Sequence, residues 1–193
     1  MMNMSETYNI RSVSVRSRQT KMRLLMPSSM VEMFQQFLKE TIENEVVVVN
    51  TNISMQIYYY SKNDYSHFIR ESVLLYVMKR VGGTELKFQY GNDKQEVFEH
   101  FSAAMYSFAK YPQLFLAYSK KILYIKKKYP GSRFIMPVLI DFFEDVLRVL
   151  GEANKIPHID KIKRAKNKSQ SPETQEDILR RLVSEILLKK HNN

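Results

Sequence analysis

The chain contains no cysteine, so disulfide scaffolds, cysteine-held zinc sites and thiol nucleophiles are excluded at the outset. Tryptophan is missing too, and only 5 Gly and 6 Pro interrupt 193 residues, which excludes long low-complexity stretches. The four histidines, His67, His100, His158 and His191, have no paired spacing. A Gly-rich phosphate loop, a His-Glu-x-x-His pair and a nucleophile elbow are all lacking. Glu96, Glu99, Asp141, Glu144 and Asp145 stand at helical spacings that ordinarily give solvated faces. With no dense catalytic cluster, the sequence argues against an enzyme and calls for no cofactor, no metal and no small-molecule substrate. Apolar runs are short: Val46-Val47-Val48-Val49 cannot cross a bilayer, so no membrane partner is expected. The opening from Met1 to Glu6 is polar and unlike a secretory signal, which gives the expectation of a cytoplasmic protein.

What the chain does have is positive charge. Thirty Lys and Arg face 20 Asp and Glu, for a net charge of +10. A polyanionic partner follows naturally, because each cation placed on a phosphate releases a condensed counterion. Hydrophobic residues make up 44% and charged residues 26%, enough to bury a core in one domain or two small ones.

Residues 1–20 read as a basic flexible arm, with Arg11, Arg16 and Arg18 spaced through Ser, Val and Gln. Residues 21–26 alternate. Met22, Leu24 and Met26 share one face and Lys21, Arg23 and Leu25 the other, which predicts a short strand that Pro27 ends. Val31, Phe34, Phe37, Leu38 and Ile42 then recur at helical spacing. Residues 46–60, β-branched and aromatic around Asn50-Thr51-Asn52, predict a hairpin. Asn63 or Asp64 caps a second helix that Gly82-Gly83 stops. Further on, a short strand at 85–90 and helices at 93–110, 112–128, 133–151 (after a strand-like start) and 172–190 are expected, with 155–170 a basic linker. The fold class is mainly α with short β elements, an α+β arrangement.

The strand Lys21-Met22-Arg23-Leu24-Leu25-Met26, then Pro27, an amphipathic helix, and Ser66-His67-Phe68-Ile69-Arg70-Glu71 in a second helix resemble the ribbon-helix-helix DNA-binding family. In that family two copies pair their strands into a ribbon that lies in the major groove. The resemblance implies double-stranded DNA as partner, a homo-oligomer, and sequence-specific binding in transcriptional regulation or at a plasmid origin, in conjugation or partition. It would set Lys21, Arg23 and Leu25 against base edges, with the backbone at Asn63 and Asp64 on a phosphate. Arg11, Arg16 and Arg18 would add phosphate or minor-groove contacts. The family joins its helices by a short turn, whereas Pro27 and Asp64 are 37 residues apart here, so the hairpin reads as an insertion in a DNA-binding region spanning 21–83. Residues 84–193 then form a helical region.

Arg133-Phe134-Ile135-Met136-Pro137 matches Arg23-Leu24-Leu25-Met26-Pro27 at an offset of 110, and Ile178-Leu179-Arg180 matches Phe68-Ile69-Arg70 at the same offset. This reads as a degenerate second repeat from 133, with chance alignment of apolar helices as its competitor. Lys120, Lys121, Lys126, Lys127 and Lys128 make a basic helix end, interleaved with Tyr118, Tyr124 and Tyr129, which predicts phosphate contact or simply a solvated terminus. Tyr58-Tyr59-Tyr60 has no clustered His or Arg to make a nucleophile and reads as a strand with one buried and one exposed face. Two other functions fit the composition: a helical adaptor that binds protein through its Met- and Phe-rich helices, and a sequence-independent binder of single strands or RNA.

Overall fold

Residues 9–17, assigned by their composition to a flexible arm, form a central strand. The computed structural model describes residues 8–17, 24–81 and 85–170. In chain order its elements are β1 (Asn9–Ser17), α1 (Ser28–Ile42), β2 (Val46–Asn50), β3 (Met55–Ser61), α2 (Ser66–Val81), β4 (Leu86–Gly91), α3 (Lys94–Ala109), α4 (Pro112–Lys128), α5 (Ile135–Glu152) and α6 (Ile159–Gln170). The α+β class stands. The four strands form one antiparallel sheet in the order β2-β3-β1-β4.

Both faces of this sheet are covered. Val13 and Val15 of β1, Met55, Ile57 and Tyr59 of β3, and Val46 and Val48 of β2 pack with Phe34, Leu38 and Ile42 of α1 and Ile69, Val73 and Val77 of α2. The alternate residues, Ile10, Val47, Val49 and Tyr58, face a larger core built from α3, α4, α5 and Ile162 of α6. Two-sided burial explains the unbroken valine run of β2, since an antiparallel sheet with one wet face would alternate with polar residues. It also overturns the expected exposed tyrosine face: Tyr58 and Tyr59 are both buried, and Tyr60 stacks on Phe134 at 4.4 Å.

β1 escaped sequence reading because its buried aliphatic residues, Ile10, Val13 and Val15, are interrupted by small polar ones. Ser12 and Ser14 are buried against the α3–α4 side, where hydropathy gives no signal. The expected strand at 21–26 does not exist over 24–26. Leu24 is exposed, while Leu25 and Met26 are both buried, which breaks the predicted alternation. The carbonyl of Met26 accepts from the Asn50 side chain at 2.6 Å, pinning this segment to the end of β2 just before Pro27 leads into α1. Lys21, Met22 and Arg23 lie outside the described residues.

Two further expectations change. Residues 133–137 are no strand: Met136 and Pro137 already belong to the first turn of α5, so this half of the proposed repeat marks a helix start. Its other half, at 178–183, lies outside the described residues, as does the expected helix at 172–190. The expected basic linker at 155–170 is largely helix α6.

Candidate nucleic-acid interface

Among the described residues, those singled out in the sequence do not form one surface. Arg18 lies with Lys21 and Arg23 outside the described residues. Leu25 is buried with 6% exposure and cannot meet a base edge. Arg11 and Arg16 sit in β1 and belong to a sheet, which corrects the arm reading. Arg11 is half-buried, with its guanidinium 3.5 Å from the Lys62 carbonyl. Arg16 is exposed on the opposite face and pairs across the sheet with Lys87.

Asn63 and Asp64 do stand just before α2, but the expected phosphate seat is filled from within. Asp64 Oδ1 accepts from the Ser66 N–H at 2.8 Å and from the Tyr59 hydroxyl at 3.0 Å. Partial burial would raise the Asp64 carboxyl, yet these hydrogen bonds and the Arg11 charge outweigh it and hold it below the usual carboxylate range. Burial, reinforced by the Asp64 charge, pushes the Tyr59 hydroxyl well up. A carboxylate already in place serves the helix N-terminus and repels a second anion.

Positive charge gathers elsewhere. α4 begins at Pro112, whose missing N–H costs nothing in the first turn. Phe115, Leu116, Tyr118, Ile122, Leu123 and Ile125 turn inward, and Lys126, Lys127 and Lys128 end the helix where its dipole favours cations. α6 starts after His158, which holds a left-handed φ of 53° and whose carbonyl accepts from Lys161 N and Ile162 N at 2.9 and 3.1 Å. Ile162 is buried with 1% exposure and anchors α6 to the core. α6 packs along α4, and their C-terminal ends meet where Lys126, Lys127 and Ser169 line one groove.

These two helices carry five cations each, Lys120, Lys121, Lys126, Lys127 and Lys128 on α4 and Lys161, Lys163, Arg164, Lys166 and Lys168 on α6, against the single carboxylate of Asp160. Lys128 pairs with Glu32 of α1, and Lys166 pairs with Glu144 of α5 at 2.6 Å. Lys120, Lys161, Lys163, Arg164 and Lys168 are exposed and form no ion pair among the described residues. On α6, Lys161, Arg164 and Lys168 follow i, i+3, i+7 spacing and share a stripe beside the inward Ile162 and Ala165. Burial, and after it the neighbouring Lys128 charge, holds the Lys121 ammonium below its usual value.

The tyrosines of α4 separate. Tyr118 is buried and donates to Gln56 Oε1 of β3, so it is lost to base stacking. Tyr124 is exposed, with Lys121 Nζ 5.7 Å from its ring centre, and Tyr129 carries Lys128 Nζ at the same distance. Next to the lysine-rich helix end lies a groove of about 650 Å³, floored by Met136, Pro137 and Ile140. No group of three or more His, Asp or Glu able to hold a metal ion occurs among the described residues.

Composition signalled the cations but not their meeting. The sequence marks Lys120 to Lys128 as a basic helix end, and residues 155–170 only as a linker. The missed signal was Ile162 with Ala165, two apolar positions at helical spacing inside a basic run. The chain matches no protein-family model, no curated protein and no solved structure. No helix among the described residues is long and apolar enough to cross a membrane.

Proposed function

We propose that the chain binds double-stranded nucleic acid through the phosphate backbone, using the cationic outer side of α4 and α6. The observation that carries this reading is the packing of two helices with ten cations and one carboxylate between them, five of the cations exposed and without an ion pair among the described residues. Such a density of like charge opposes folding unless a polyanion relieves it. A duplex offers that relief, with one phosphate charge per about 1.7 Å of axis.

The exposed side chains favour contact with phosphates over contact with bases. Lysines dominate, Tyr118 is buried, and neither α4 nor α6 leaves a row of exposed aromatic rings for stacking. Sequence-specific reading of DNA by a ribbon-helix-helix pairing of Lys21 and Arg23 is a separate proposal, and the buried Leu25 does not support it. A role in regulation, or at a plasmid origin, is the broader setting into which duplex binding would fit.

The test is binding to a labelled random duplex over a salt series. If about five phosphates are neutralised, the logarithm of affinity falls against the logarithm of salt with a slope of about −4 to −5. Replacing Lys161, Arg164 and Lys168 together by Gln should flatten that slope by about 2 to 3. An unchanged slope in the triple variant would place the interface elsewhere. Preference for single strands would favour a stacking mode, and no binding at physiological salt would favour an adaptor that recognises protein.

A further inference from the structure

The two edges of the sheet are treated differently. At the β2 edge, helix α1 runs alongside and Val48 N–H donates to Gln35 Oε1 at 2.9 Å, so a side chain occupies an outward backbone group. All five residues of β2 are buried. At the β4 edge nothing comparable occurs: among the described residues, no backbone group of Leu86–Gly91 has a hydrogen-bond partner beyond β1. Leu86, Phe88 and Tyr90 are only half-buried on the α2 side, and Lys87 and Gln89 are exposed on the other. Open edges of this kind template further pairing unless blocked.

We propose that β4 is the surface through which two copies of the chain join, their sheets running on across a two-fold axis at Phe88. The strand is self-complementary in that register. Antiparallel pairing centred on Phe88 sets Leu86 against Tyr90 and Phe88 against its own copy, so the apolar side stays continuous. On the other side it sets Lys87 against Gln89, leaving no like charges directly opposed. Moving the centre to Lys87 would oppose two lysines, and moving it to Gln89 would set Leu86 against Asn92. A shift by one residue in the pairing would turn the apolar set onto the polar face. The chemistry therefore favours a second copy over an unrelated strand. This joining of copies does not depend on the nucleic-acid reading, since β4 shares no residue with α4 or α6.

The test uses the full chain, freed of nucleic acid in high salt and examined by sedimentation over a range of concentrations. A reversible dimer of the 22.9 kDa chain is expected. Gln89→Lys opposes Lys87 on both sides of the axis and should raise the dissociation constant about fivefold; adding Lys87→Glu should restore it. Both side chains are exposed, so the fold itself is spared. The absence of natural cysteine gives a second readout. A mixture of Lys87→Cys and Gln89→Cys chains should form a disulfide-linked dimer under oxidation, while either variant alone should form far less. A chain that stays monomeric overturns the proposal, and so does a dimer indifferent to Gln89→Lys or a strand of another protein found on β4.

Discussion

Lys166 Nζ stands 2.6 Å from Glu144 Oε1, and this ion pair ties α6 to α5. Both side chains are more than a third exposed, so the pair contributes at most about 1 kcal/mol. Ile162, with 1% exposure, does more to hold α6. Ile162→Ala should cost about 2–4 kcal/mol, and Glu144→Gln less than about 1 kcal/mol. Denaturant unfolding measures both, and hydrogen exchange should speed up chiefly in α6 amides of the Glu144→Gln chain.

Glu45 fastens the β2 side of the sheet to α5. Its carboxylate accepts from Ser132 Oγ at 2.7 Å, from the backbone N–H groups of Phe134 and Ile135 at 3.1 and 3.0 Å, and from Arg133 N–H. Partial burial would raise this carboxyl, but the four hydrogen bonds prevail and lower it from the ordinary 4.5. A depressed carboxyl stabilises the fold fully above the unfolded value and loses that contribution as pH falls through the folded one. Stability should therefore decline on acidification below about 4.5, and Glu45→Gln should both cost about 1–3 kcal/mol near neutral pH and flatten that decline. Urea titrations at several pH values read both effects.

Gly91 ends β4 where α3 begins, and the approach is close. A Cβ there would lie 2.7 Å from Ser12 Oγ and 2.9 Å from Val97 Cγ2. Gly91→Ala should destabilise the chain by about 1–3 kcal/mol, through overpacking. A thermal melt checks this, and an unchanged midpoint would mean that α3 can shift without cost.

Sequence patterns reached the helices with one apolar face and the hairpin whose strands are mostly apolar. α1, α3 and α4 follow apolar residues at helical spacing, and the β2–β3 hairpin follows valines and tyrosines around a polar turn. β1 was hidden because Ser12 and Ser14 are buried polar residues, and α6 because one buried isoleucine anchors an otherwise basic segment. Residues 24–26 misled for the opposite reason: Leu25 and Met26 both pack into the core although a period-two pattern would put them on opposite faces. The candidate interface was only half legible, since α4 and α6 are brought together by tertiary packing that no local pattern encodes.

Duplex binding by α4 and α6 is tested most sharply by lysine footprinting by acetylation, with and without duplex DNA at low salt, read residue by residue by mass spectrometry. Protection is expected at Lys120, Lys161, Lys163 and Lys168, with Lys39 and Lys62 modified equally in both samples. Full modification of the α4 and α6 lysines in the presence of duplex, with protection confined to Lys21, would contradict it.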